Sequence, residues 1–341
     1  MYSFKNDYSE GAHPNILNAL IQTNMEQAQG YGYDKHTLAA ISHIRHEIND
    51  TSADVHFISG GTQTNLISIG AFLRPHEACV AASTGHIAVH EAGAIECTGH
   101  KVITVDTPEG KLSPEDVQSV LDLHEDEHMV KPKLVYISNP TELGTVYTLD
   151  ELKALSTHCH TNDLILYCDG ARLGTALCIK EAGLNLANLY ELTDAFFIGG
   201  TKIGALAGEA LVIRTKALQA DMKYHIKQRG GLLAKGKLLG IQFEELFKSD
   251  LYIQLAQHSI DMAQQLVKGL EEHNIDFLVE PQTNQIFPIL NNTVIEHLQN
   301  HFDFYVWKKV NEDQSAIRLI TSWATPQSAI DLFLEKLAEA Q

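Results

Sequence analysis

Short apolar runs alternating with longer stretches of helical periodicity occupy the first two-thirds of the chain. Val55–Ser59, Lys101–Val105, Lys133–Ser138, Leu164–Cys168 and Ala195–Ile198 are such runs, and Ala210–Ile213 adds another. Near-continuous apolar runs, lacking polar alternation, predict strands buried on both faces of a mostly parallel sheet. Between them, Thr62–Leu73 follows the first strand as a helix. Ser113–Leu123 opens with a cap residue and Pro in its first turn, and Thr148–Cys159 opens Thr-Leu-Asp-Glu, a capping-box pattern. Strands separated by helices predict βαβ units and an α/β fold.

After Arg229 the texture changes. Lys237–Phe247 and Tyr252–Asn274 predict long helices, followed by short strands around Phe277–Glu280 and Ile317–Thr321 and a final helix, Pro326–Ala340. The pattern predicts a large sheet domain over 36–244 and a smaller domain built from 1–35 plus 245–341. No internal repeat or low-complexity tract interrupts it.

Composition narrows the partners. The chain has 341 residues and a formal net charge of −18, which argues against a broad phosphate-backbone partner such as nucleic acid. A small anionic ligand, needing only a local positive site, stays open. Five cysteines, odd in number and without a C-x-x-C pair, argue against a disulfide framework and fit a reducing cytoplasm. The start lacks the pattern of a signal peptide, and no apolar run approaches the roughly 20 residues of a membrane helix. These features predict a soluble cytoplasmic protein.

Three turns at strand ends carry candidate chemistry. In Ser59-Gly60-Gly61-Thr62-Gln63 the glycines and the helix start suit a phosphate, although such a turn is often structural. In Asp169-Gly170-Ala171-Arg172 the carboxylate sits where open α/β sheets bind ligands, or serves as a helix cap. In Gly199-Gly200-Thr201-Lys202 the lysine is either reactive through desolvation or an ordinary surface residue. Together they match the needs of pyridoxal 5′-phosphate: an anion nest, an acid for the ring nitrogen and a lysine for the aldehyde.

The motifs SGGTQTN, TGHIAVHEAGA, YCDGAR and GGTKIGA, in this order, resemble the threonine aldolase and β-eliminating lyase family. NDYSEGAHP near the start and RGGLLAKGKLLGIQF later extend the resemblance from Asn6 to Arg318. It implies a fold-type-I pyridoxal phosphate architecture and cleavage of β-hydroxy-α-amino acids, such as L-threonine or L-allo-threonine, to glycine and an aldehyde. On the same basis Gly61 and Thr62 would bind the cofactor phosphate, with Thr201 assisting. His86 would stack on the ring, Asp169 would pair with the ring nitrogen and Lys202 would carry the cofactor as a Schiff base. Arg172 and Arg318 would clamp the substrate carboxylate, Tyr31 would lie near the substrate, and Lys227 would reach the phosphate of a neighbouring subunit. Shared active sites of that kind imply a homodimer or homotetramer.

Two positions depart from the family pattern. Asn6 stands where many members have a serine that helps bind the carboxylate. Thr141 and Glu142 stand where many carry a histidine that contacts the substrate hydroxyl. His86, Glu142 and an ordered water are therefore alternative bases. A β-eliminating lyase on β-substituted amino acids, or a cofactor-binding protein with little turnover, are the alternatives to an aldolase. The H-E-x-x-H match at His124–His128 lies in an acidic helix end without a third ligand, and His158-Cys159-His160 also reads as a helix end; neither predicts a metal site. No G-x-S-x-G nucleophile elbow is present.

Overall fold

The computed structural model describes residues 1–341. Seven strands form the central sheet: β1 (Asp54–Ile58), β2 (Glu77–Ala82), β3 (Val102–Val105), β4 (Lys131–Ser138), β5 (Ile165–Asp169), β6 (Ala195–Gly199) and β7 (Glu209–Ile213). Their spatial order is β1-β7-β6-β5-β4-β2-β3. All neighbours run parallel except β7, which lies antiparallel between β1 and β6. This is a mostly parallel sheet flanked by helices, the fold class the sequence predicts.

The apolar runs follow from how the sheet is covered. Alternate residues point to opposite faces. Val135, Leu166, Phe196, Ala210 and Val212 join one apolar cluster, while Leu134, Tyr167, Phe197, Leu211 and Ile213 join another. Each face has its own core, so both sets of positions are mostly apolar away from the strand ends. Fully burying one such large side chain stabilises by about 1.5–3 kcal/mol.

A third cluster gathers Phe4, Phe302, Phe304, Ile317, Leu319 and Phe333 around a small sheet in which Gln314–Ile320 pairs antiparallel with Ile289–Asn291, Tyr305–Lys309 and Gln285–Ile286. The helix Leu251–Glu272 serves two cores. Leu251, Tyr252, Leu255 and Ala256 pack into the first sheet cluster, and Met262, Ala263, Leu266 and Leu270 into the third. At the other end of the chain, Phe4 packs in the third cluster, whereas Ala12 and Ile16 pack in the first.

Several elements differ from the sequence reading. Strand β2, EACVAA, was not expected, because alanine has low strand propensity; it forms because all six residues are buried between β3 and β4. The expected strand at Phe277–Glu280 reduces to one bridge, Phe277 to Pro288, while Gln285–Ile286 pairs with Gln314–Ile320 instead. Helices Pro14–Gln22 and Lys35–Glu47 and strand Tyr305–Lys309 are additions. All five cysteines are free. No helix is long and apolar enough to cross a membrane.

Candidate active site

The turns after β1, β4, β5 and β6 open into one cavity at the carboxyl ends of the parallel strands, where open α/β sheets bind ligands. An inner chamber of about 320 Å³ is lined by Ser59–Thr62, His86, Ser138, Glu142, Asp169, Arg172, Thr201, Lys202 and Glu209. An outer chamber of about 480 Å³ adds Asn6, His90, Gln285, Tyr305, Trp307 and Arg318. Tyr8, His86, Glu142, Arg172 and Lys202 line both chambers.

Two glycines hold the motif turns against each other. The Gly199 N–H donates to the Gly170 carbonyl at 2.9 Å. A Cβ on Gly170 would lie 1.9 Å from the Phe197 carbonyl oxygen, and one on Gly199 would lie 2.2 Å from that of Ala171. Neither backbone can yield that far, so glycine at both positions brings the Asp169 and Lys202 turns to one wall.

Asp169 is buried, and three donors fix its carboxylate. Its Oδ2 accepts from the Tyr136 hydroxyl at 2.6 Å and Asn65 Nδ2 at 3.0 Å, and its Oδ1 from the Ala171 N–H at 3.0 Å. The helix after this turn is capped at Arg172, so Asp169 is not its N-cap. From Asp169 a ring of hydrogen bonds runs around the inner chamber. Asn65 Nδ2 also donates to Glu91 Oε1 at 2.7 Å, which lies 2.8 Å from His86 Nδ1. The His86 N–H donates to Glu142 Oε1 at 2.9 Å, and Ser138 Oγ reaches the same oxygen at 2.7 Å and the Tyr136 hydroxyl at 3.2 Å. Burial, reinforced by Asp169, raises the Glu142 carboxyl above the ordinary carboxylate range. Glu142 Oε2 makes no hydrogen bond within the chain and is the free oxygen of this carboxyl.

Burial and the neighbouring Arg172 charge lower the Lys202 ammonium from its ordinary value, which favours the neutral amine. The two arginines are placed differently. Arg172 gives its Nε and one Nη to the buried Asp7, at 2.6 and 3.1 Å. Asp7 also accepts from Asn284 Nδ2 at 3.1 Å, and despite its burial the Arg172 guanidinium holds its carboxyl below the usual range. Arg318 lies over the rings of Tyr305 and Trp307, 5.2 and 4.9 Å from their centroids. Its only hydrogen bond is a long one to the Lys5 carbonyl, and its buried Nε has no partner. A buried unpaired donor costs about 1–3 kcal/mol, so Arg318 is poised for an anion the chain does not supply.

A model of the beta-eliminating lyase family matches residues 6–293. This chain belongs to the β-eliminating lyase family. The solved structure of Leishmania major threonine aldolase is 50% identical, with a TM-score of 0.98 and 99% of each chain covered. Low specificity L-threonine aldolases from Pseudomonas aeruginosa and a further Pseudomonas strain are 28% and 29% identical, covering 94% and 96% of this chain and 93% and 94% of theirs. More distant structures, at 18% and 13% identity with TM-scores of 0.75 and 0.71, share the fold-type-I architecture of pyridoxal phosphate enzymes. This member of the β-eliminating lyase family is accordingly a lyase of the pyridoxal phosphate-dependent class.

The residues of this β-eliminating lyase family member fit that cofactor. No side chain caps the helix Gly61–Phe72, and a Cβ on Gly60 would meet nothing within 4 Å, so the turn opens onto unfilled space beside free N–H groups. A fixed carboxylate, a desolvated lysine and an unpartnered arginine complete the donor set. Asn6 lines the outer chamber, but its Oδ1 is engaged by the Tyr8 N–H and Ser9 hydroxyl. The Thr201 hydroxyl is held within its own turn, 3.1 Å from Glu209 Oε1 and from the Gly208 N–H. Tyr31 and Lys227 line neither chamber; the Lys227 ammonium sits 4.8 Å from the centre of the Tyr31 ring elsewhere on the chain. The sequence reading gave no role to Asp7, Tyr8, Asn65, His90, Glu91, Tyr136 or Glu209. Asn65 follows Thr62-Gln63-Thr64, so its place in the helix left no local signal.

Proposed function

We propose that the chain is a pyridoxal phosphate-dependent aldolase that cleaves β-hydroxy-α-amino acids such as L-threonine or L-allo-threonine to glycine and an aldehyde. The observation that carries this reading is the convergence on one cavity of Lys202, the fixed Asp169 carboxylate, the unpartnered Arg318 and the free oxygen of Glu142. Full-length likeness to threonine aldolases supports it. Pyridoxal phosphate, when bound, supplies an aldehyde for amines and a ring that accepts the electron pair left as the Cα–Cβ bond breaks.

The protein's part follows from its residues. Lys202 offers its neutral amine as the covalent anchor. Asp169 would hold a proton at the ring nitrogen, His86, oriented by Glu91, would stack on the ring, and Gly61 and Thr62 would bind the phosphate through the helix start. Arg318 grips the substrate carboxylate, and Arg172, set by Asp7, contributes its remaining Nη hydrogens beside it. Glu142 Oε2 takes the β-hydroxyl proton as the Cα–Cβ bond opens and the aldehyde carbonyl forms; protonation at Cα then completes glycine. A carboxyl raised towards neutrality suits that proton transfer better than an ordinary one.

Residues 36–244 act as the cofactor-binding domain, and 1–35 with 245–341 form the smaller one. A second copy of the chain supplies Tyr31 and Lys227 to the cavity, in a homodimer or homotetramer. This is supported by their absence from the walls of both chambers and by the exposed Tyr33, Tyr224 and Leu238 nearby in sequence. The scattered cysteines fit a cytoplasmic setting.

The direct test supplies cofactor to the purified protein and assays threonine, allo-threonine and phenylserine for glycine and aldehyde. Pyruvate and ammonia from β-substituted alanines, without aldehyde from any of the three, would replace the aldolase by an eliminating lyase. Glu142→Gln is expected to lower kcat for threonine cleavage about 10²–10⁴-fold. Glycine α-proton exchange, followed by NMR, should change little because it involves no hydroxyl. The wild-type rate should rise with pH as Glu142 ionises, at a pH above the ordinary carboxylate range, and the variant should lose that limb. Equal losses in cleavage and exchange would remove Glu142 from the hydroxyl chemistry.

A further inference from the structure

Glu209 is a buried acid on the cavity wall to which the mechanism above gives no role. It opens β7 and pairs across the backbone with Ile58 on one side and Gly199 on the other, the last residues of β1 and β6. It therefore stands between the Ser59–Thr62 turn, where the phosphate is placed, and the turn that carries Lys202. Its Oε2 accepts from the Gly200 N–H at 3.1 Å, and its Oε1 lies 3.1 Å from the Thr201 hydroxyl oxygen. That oxygen also accepts from the Gly208 N–H at 3.1 Å.

Counting protons makes these contacts informative, because a hydroxyl has one proton and two lone pairs. With Glu209 ionised, the Thr201 proton is spent on the carboxylate and nothing is left to donate into the cavity. With a proton on Glu209 Oε1, the direction reverses. The acid and the Gly208 N–H then fill both lone pairs of Thr201 Oγ1, so the threonine must aim its own proton elsewhere, and the cavity is the open direction. A dianionic phosphate would meet a hydroxyl donor in the second case and a neighbouring carboxylate in the first.

We propose that Glu209 is a proton-carrying positioning residue for the cofactor: as a neutral acid it turns the Thr201 hydroxyl towards the phosphate, so that retention of pyridoxal phosphate depends on pH. This rests on the cofactor reading above. Burial pushes the Glu209 carboxyl up to about 8, with Lys202 pulling it down and Asp169 pushing it further up. Tyr252, from the long helix, is a further titratable group that feels the Glu209 charge, its hydroxyl oxygen accepting from the Gly174 N–H at 3.0 Å. The helix Lys237–Phe247 brings only uncharged groups, Phe243 against Gly200 and Gly208 and Gln242 against the Leu206 and Ala207 N–H groups.

The test titrates apo-protein with pyridoxal phosphate and, separately, with pyridoxal, reading both dissociation constants by absorbance between roughly pH 6.5 and 10. The ratio of the two affinities isolates the phosphate, because Lys202 and Asp169 act on both ligands; the phosphate's own second ionisation, near pH 6, lies below the window. In the wild type the ratio should stay level up to about 8 and then fall, approaching tenfold per pH unit. Glu209→Gln keeps a donor towards Thr201 at every pH and should hold the ratio at its low-pH level throughout. Thr201→Val should give a lower ratio that falls less steeply than the wild type's, through the Glu209 charge alone, and it tests the relay even where a change at Glu209 prevents folding. A Gln variant that keeps the wild-type fall, or a wild-type ratio level across the window, overturns the proposal. A wild-type chain that binds pyridoxal but never prefers its phosphate does the same. A wild-type chain that binds neither ligand fails at the earlier step and overturns the cofactor reading itself.

Discussion

Replacing Lys202 with alanine will slow threonine cleavage on the order of 10³-fold or more and leave no cofactor that borohydride can fix at this position. The amine is held in a desolvated pocket beside the Arg172 charge, which favours its neutral form. The same environment means that the folded chain gains nothing from an ammonium there. Lys202→Ala should therefore match the wild type in thermal unfolding while losing the activity, which separates a chemical role from a structural one. Activity, absorbance and a peptide mass map after reduction make the measurement. A fixed adduct in the variant, with the rate preserved, would move the covalent role to another lysine.

Asp7→Ala is expected to give the largest loss of stability, about 3–5 kcal/mol, read from urea denaturation. The figure follows from what is left behind. Arg172 would keep its guanidinium buried without the two hydrogen bonds that now balance it, and Asn284 would lose an acceptor. The pH dependence has a definite sign. Because the folded chain holds the Asp7 carboxyl below its ordinary 3.8, the contribution of the pair is fully present above that value. It is lost as the pH falls through the lower folded value, because the proton then displaces the arginine. The wild type should lose stability on acidification in that window more steeply than the variant. A variant whose midpoint and slope match the wild type would show that solvent replaces Asp7 at no cost.

How much of this was legible in the sequence depended on whether the cause was local. The strands of the central sheet were visible because each must satisfy two cores, which leaves an unbroken apolar run. β2 was not, since alanine and cysteine become strand residues only through burial between two neighbours. The reversed direction of β7 leaves no trace in its composition; it depends on where the chain returns after the Lys202 turn. In the site, the motif turns were readable because glycine, aspartate and lysine must stand at fixed offsets from strand ends. The Asp7–Arg172 pair joins residues far apart in sequence, and no periodicity encodes such a contact. Tyr136 and Tyr167 were read as apolar strand positions, yet their hydroxyls reach into the polar ring around Asp169, Tyr167 by way of Asn65. Glu209 looked like the polar flank of a strand, yet it is buried on the cavity wall between the ends of β1 and β6.

The placement of β7 also sets an order on how the molecule is made. β1 has a single partner in the sheet, and that partner is β7. During synthesis, VHFI emerges early and waits for some 150 further residues (read from the positions of the two strands) before the strand that covers it exists. At ordinary rates of translation that wait is on the order of 10–30 s. Throughout it, the nascent chain carries an unpaired apolar strand edge of the kind that recruits chaperones or pairs with other chains. Fragments that stop short of residue 209 keep that edge permanently, so truncations intended to isolate the central sheet must extend through β7 to be soluble.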